Sequence, residues 1–157
     1  MGMASLVQIL GRIGHCPYRP SESSRLSKRI EVRDQLTAWK NGLPQSTKID
    51  PFCPRSFHAN MLHLAYNYLL ILLYRSDYIV DVKTSRESEG HIALQAAVHN
   101  TSIIEDMLTD GNLRHAEIHM ITNIFITLCI NTISLRRSEG VAKSVALSRA
   151  NICLLGL

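Results

Sequence analysis

Apolar residues recur three and four positions apart along almost the whole chain, and no useful length alternates apolar with polar. A helix places residues i, i+3 and i+4 on one face, whereas a strand places i and i+2 on one face. The pattern therefore confines the fold to an all-α, irregular multi-helix bundle. The predicted segments run over about 3–13, 24–40, 57–75, 88–109, 115–135 and 139–155. Loops are expected at 14–24, 45–56 and 76–87. A chain of 157 residues fits one domain spanning 1–157.

Local chemistry marks the breaks. Pro17 and Pro20 block a helix in the first loop, and Pro51 and Pro54 hold the second extended. Asn41-Gly42-Leu43-Pro44 is expected to stop the second helix, with Asn or Gly taking positive φ and Pro unable to continue. Asp110-Gly111-Asn112 is expected to stop the fourth. That helix carries a clean apolar stripe of Ile92, Ala93, Ala96, Ala97, Ile103, Ile104, Met107 and Leu108. In the last helix Val141, Val145, Leu147, Ile152 and Leu155 are the expected core face, with Arg149 outside. The chain begins and ends within apolar stretches, which reads as part of a larger helical domain or a shortened gene product. Some apolar surface is then expected to lack partner helices.

Two uncharged stretches bear on membranes. Met61–Tyr74 is 14 residues long, short of the roughly 20 a bilayer crossing needs. Ile118–Leu135 is 18 residues long, but His119, Asn123, Thr127, Asn131 and Ser134 fall on one narrow helical stripe. Ile121, Ile124, Phe125, Leu128 and Ile133 surround the rest. This is the pattern of a helix nearly enclosed by protein, and no membrane partner is expected.

The net charge of +4 is concentrated at the start, since residues 1–60 hold nine Lys/Arg against four Asp/Glu. Acidic residues interleave with the basic ones, so the segment reads as a solvated helix face rather than a nucleic-acid surface. The four cysteines, at 16, 53, 129 and 153, are too dispersed for a disulfide scaffold or a structural zinc site. Cys129 and Cys153 read as core packing. Phosphate-cradling glycine loops and nucleophile elbows are missing from the sequence. His115 and His119, one helical turn apart, are the one candidate metal pair. Glu117, however, points about 200° around the helix from His115, unlike the zincin arrangement. The alternative function is accordingly a small helical metal protein or enzyme using His115 and His119. The preferred reading is non-enzymatic, with no catalytic, cofactor-binding or metal residue nominated.

Several blocks, read in order, carry more specific information. Leu36-x-x-Trp39-x-x-x-Leu43-Pro44 comes first, then Leu62-His63-Leu64-x-Tyr66 leading to Ile71-Leu72-Leu73-Tyr74-Arg75. Ala96-Ala97 with Ile103-Ile104 follows, and an apolar helix closes at Leu135-Arg136-Arg137-Ser138. Over roughly 26–157 these blocks resemble the middle homology region, the regulatory region, of fungal zinc-cluster transcription factors. Ser76 stands where that family usually has proline, and Ala93 where it often has cysteine before the paired alanines. The six-cysteine zinc cluster through which the family reads DNA has no counterpart in this sequence.

The resemblance implies a helical regulatory domain in the nucleus, acting through the transcriptional machinery or another protein, or through a small-molecule effector. It implies DNA contact and zinc only through a domain outside this sequence, and hence no cofactor here. Trp39, Pro44, Tyr66, Tyr74 and Arg75 are the candidate effector or interface residues, with packing as the competing role for each.

Overall fold

A computed structural model describes residues 3–14, 22–44, 47, 56–80, 89–115 and 119–157, without the side chains of 14, 22–26 and 119. The described residues form six α-helices and no strand. These are α1 (Met3–Gly14), α2 (Glu22–Asn41), α3 (Phe57–Val80), α4 (Gly90–Thr109), α5 (His119–Arg137) and α6 (Gly140–Leu155). A short 3₁₀ turn, Asn112–His115, stands before α5. The all-α multi-helix bundle expected from the periodicity is the observed architecture. The chain divides into two compact units, residues 1–66 and 67–157, and α3 contributes to both.

In the first unit, α1 turns Leu6 and Ile9 inward, and α2 turns Val32 and Leu36 inward. Each pair is spaced three or four apart, as one helical face requires. An exposed ion pair, Arg12 Nη1 to Glu31 Oε1 at 2.9 Å, joins the two helices. Gln35 Nε2 donates to the same carboxylate oxygen at 3.2 Å. α2 ends at Asn41 as expected, but Gly42 does not take positive φ. The turn instead closes through the Gly42 amide on Ala38 O (3.0 Å) and the Leu43 amide on Lys40 O (3.3 Å). Burial of Leu43 and the exposed Pro44 then stop the helix. Ser56 caps α3, its Oγ accepting from the Ala59 amide at 3.2 Å.

In the second unit, Ile71, Tyr74 and Tyr78 of α3 form a core with Ala93, Ala96 and Ala97 of α4 and Ile130 of α5. The three alanines of the α4 stripe let aromatic and branched side chains fill the space beside them. Asp110 caps α4 by donating to Asp106 O, and Gly111 then reverses the chain at φ +67. This is the left-handed turn that glycine adopts without strain.

Three expectations need correction. The loop expected at 76–87 begins later, because α3 continues through Ser76 to Val80. Arg137 explains the extra turn: Nη1 donates to Tyr78 O at 2.6 Å, and Nη2 to Ile79 O at 2.9 Å. Its guanidinium also lies 5.1 Å from the Tyr78 ring centroid. The freed carbonyls at the helix end are thus met by a cation. The rest of that loop, most of 14–24 and most of 45–56 lie outside the described residues.

Second, α6 faces inward with Ala146, Ala150 and Cys153, while Val141, Val145, Leu147 and Leu155 are exposed. Small residues win the inner face because the helix approaches its neighbours closely. At Gly156 a Cβ would stand only 3.1 Å from Ile104 Cγ2 and 3.4 Å from Ile124 Cδ1. Third, α5 is not enclosed all round: Asn123, Thr127, Asn131 and Ser134 of its polar stripe are buried, and Ile121 and Phe125 face outward. Among the described residues, no helix is long and apolar enough to cross a membrane.

The Arg137 contacts are open to direct test. Arg137→Ala is expected to lower the unfolding free energy by about 2 kcal/mol in urea denaturation. Lysine at the same position should recover less than half of that, because an ammonium cannot fork to two carbonyls.

Candidate functional site

Two constellations of polar and aromatic side chains stand out, one in each unit. In the first unit Trp39, near the end of α2, stacks on Tyr66 of α3. The ring centroids are 5.7 Å apart and the planes 14° from parallel. Lys40 Nζ lies 5.6 Å from the Tyr66 centroid, adding a cation–π contact worth about 0.5–1 kcal/mol at such a partly wet position. The buried His63, one turn before Tyr66, has Nε2 2.8 Å from the carbonyl of Thr47. Thr47 is in turn tied to Pro44, its amide and hydroxyl donating to Pro44 O at 2.9 and 2.8 Å. Thus ring stacking joins the segment Trp39-x-x-x-Leu43-Pro44 to the segment Leu62-His63-Leu64-x-Tyr66, and His63 of the latter is tied to Thr47, three residues beyond Pro44.

The five candidate residues therefore separate. Trp39 and Tyr66 are brought together, with Trp39 partly exposed and Tyr66 buried. Pro44 is exposed at the turn. In the second unit Tyr74 is 1% exposed within the core, so it packs rather than presents a surface. Arg75, its neighbour, is exposed.

The second constellation is a buried polar seam linking α4, α5 and α6. Asn100 Nδ2 donates to Asn123 Oδ1 at 2.9 Å and to Thr127 Oγ1 at 3.1 Å. The Thr127 hydroxyl donates in turn to Asn123 O at 2.8 Å. One turn along, Asn131 Nδ2 donates to Thr101 Oγ1 at 2.9 Å and reaches Cys153 Sγ at 3.6 Å. Thr101 back-bonds to Ala97 O at 2.9 Å. Asn100, Thr101, Thr127, Asn131 and Cys153 are all essentially excluded from solvent. Asn123 Oδ1, Thr127 Oγ1 and Thr101 Oγ1 are met as acceptors, whereas among the described residues the Asn100 and Asn131 Oδ1 atoms accept no hydrogen bond.

Cys153 sits at the end of this seam. Burial pushes its thiol pKa above the ordinary value, and hydrogen bonds from Thr101 and Asn131 only partly oppose that. A thiol held protonated is a poor nucleophile and a poor metal ligand. Cys129 is exposed on α5 rather than packed in the core, contrary to the sequence expectation.

Half of the seam had a signature in the sequence, the 123, 127, 131 stripe of α5. Its partners were missed. The available signal was Asn100, four residues after Ala96 and four before Ile104, an amide set within an apolar stripe.

Of the alternative metal pair, the structure describes the side chain of His115 alone. His115 ends the 3₁₀ turn, exposed, and accepts from Arg114 Nε at 3.1 Å, whereas α5 begins only at His119. Among the described residues, no three His, Cys, Asp or Glu side chains are gathered as a metal site. Comparison with protein-family models, with curated proteins and with solved structures finds no match for this chain.

Two outcomes follow from the seam. Asn131→Ala should cost about 2–3 kcal/mol in urea denaturation, since it removes two buried contacts and leaves a small void. For Cys153 the folded-state pKa exceeds the unfolded one, so its contribution is complete below the unfolded pKa of about 8.5. That contribution is lost as the pH climbs from there toward the folded value. Stability measured from pH 7 to 10 should therefore fall at the alkaline end, and Cys153→Ala should flatten the fall. Iodoacetamide with peptide mapping should show Cys129 modified in the native protein and Cys153 protected.

Proposed function

We propose that this chain is a regulatory module of a transcription factor of the fungal zinc-cluster kind, working in the nucleus. It is non-enzymatic and controls transcription through protein partners, or through an effector that favours one arrangement of its helices. DNA is reached only through a domain outside this sequence, and no cofactor is held here.

One observation carries the reading most of the way. The two sequence blocks whose order supports the resemblance, around Trp39 and around Tyr66, meet in space through the stacking of those two rings. The all-helical fold is compatible with the same role, since packed helices can hold two arrangements a few kcal/mol apart.

The test is a fusion of the full chain to an unrelated sequence-specific DNA-binding domain, read by a reporter gene in yeast. The fusion should change reporter output at least about fivefold, up or down, relative to the DNA-binding domain alone, and Trp39→Ala should erase most of the change. A folded, nuclear fusion with the output of the DNA-binding domain alone would refute the reading.

A further inference from the structure

Between α1 and α2 lies a cleft of about 370 Å³, within the range of small-molecule sites. Ser5, Gln8 and Arg12 of α1 line it, opposite Gln35, Ala38 and Trp39 of α2. Ile9 and Gly42 complete the lining, Ile9 as its aliphatic side chain. We infer that this cleft binds a neutral, planar aromatic ligand that carries a lactam or amide on its edge. The inference deepens the proposed function by placing an effector, and it rests on that reading for its consequence, not for the binding itself.

Three features select that chemistry. The first is the Trp39 indole, a flat wall whose orientation is fixed in advance by its stack on Tyr66. Such a wall favours an aromatic ring lying against it. Second, the polar lining is mostly neutral. Ser5 and Gln8 supply a hydroxyl and an amide, and Gln35 keeps its amide oxygen available while its nitrogen binds Glu31. Amides and hydroxyls pair with the donor–acceptor edge of a lactam. Third, the charge of Arg12 is already compensated by Glu31 at 2.9 Å. The neighbouring carboxylate offsets the attraction of the guanidinium for an anion and repels one, whereas a neutral ligand meets no such charge.

The single tryptophan of the chain is the reporter, because its indole N–H gives one resonance in a ¹⁵N-resolved spectrum. The probes are quinolin-2-one, a neutral fused lactam; quinoline-2-carboxylate, the ring with a charge; and 2-pyrrolidinone, the lactam without the aromatic ring. Quinolin-2-one should move the Trp39 indole resonance saturably with Kd about 1 mM, as expected for a fragment of its size. The other two probes should bind at least about fivefold more weakly. Gln8→Ala, at an exposed position, should weaken quinolin-2-one about threefold or more. Ala38→Phe, which adds a ring to the cleft wall at another exposed position, should abolish the shift while the thermal melt stays cooperative.

No saturable shift, equal or tighter binding of the carboxylate, or binding unchanged in both variants would overturn the site. A silent reporter fusion beside an intact indole titration would refute the transcriptional reading and leave this site standing. An active reporter beside a failed titration would do the reverse.

Discussion

The second unit depends on a trade made inside its three-helix contact: amides and hydroxyls are buried where hydrocarbon would pack more cheaply. Asn100 ties α4 to α5, and Asn131 ties α5 to both Thr101 and Cys153. Each such bond is worth only about 0.5–1.5 kcal/mol net, while a buried acceptor left without a donor costs about 1–3 kcal/mol. With Asn100 Oδ1 and Asn131 Oδ1 in that condition, the seam is not principally a source of stability. Its effect is on register. A rotation of α5 by one position would swing Asn123, Thr127 and Asn131 about 100° away from Asn100 and Thr101. Polar groups that must meet in one arrangement define that arrangement.

The seam also accounts for the surface. Because α5 spends its 123, 127, 131 face on polar pairing, Ile121 and Phe125 are left outward. Because α6 must come close enough for Cys153 to reach Asn131, its inner face is restricted to Ala146, Ala150 and Cys153. The larger residues, Val141, Val145 and Leu155, are consequently displaced to the outside. In the first unit the organising contact is of another kind: aromatic stacking of Trp39 on Tyr66 fixes one wall of the α1–α2 cleft.

Much of the helix order was legible in the sequence, because spacing of three and four and the breakers at Asn41-Gly42 and Asp110-Gly111 act locally. What failed was the direction of faces. Val141, Val145 and Leu155 form a stripe as regular as Ala146, Ala150 and Cys153, and hydrophobicity alone selects the wrong one. Only the closeness of the neighbouring helix decides, and that is a tertiary fact. α3 outruns its expected end at Arg75 because Arg137, 58 and 59 residues away from the carbonyls it holds, is not local either. At the candidate site, Trp39 and Tyr66 were recognisable through their blocks. Ser5 and Gln8 carry no motif and became visible only when α1 lay against α2.

The central physical claim is that Asn100 and Asn123 act as one unit in setting how α4 meets α5. A double-mutant cycle with Asn100→Leu and Asn123→Leu, read by urea denaturation, addresses it most directly. A coupling of about 1 kcal/mol or more between the two changes is expected, because either one alone takes from the remaining amide its partner across the dry α4–α5 interface. Costs that simply add, to within about 0.3–0.5 kcal/mol, would contradict it.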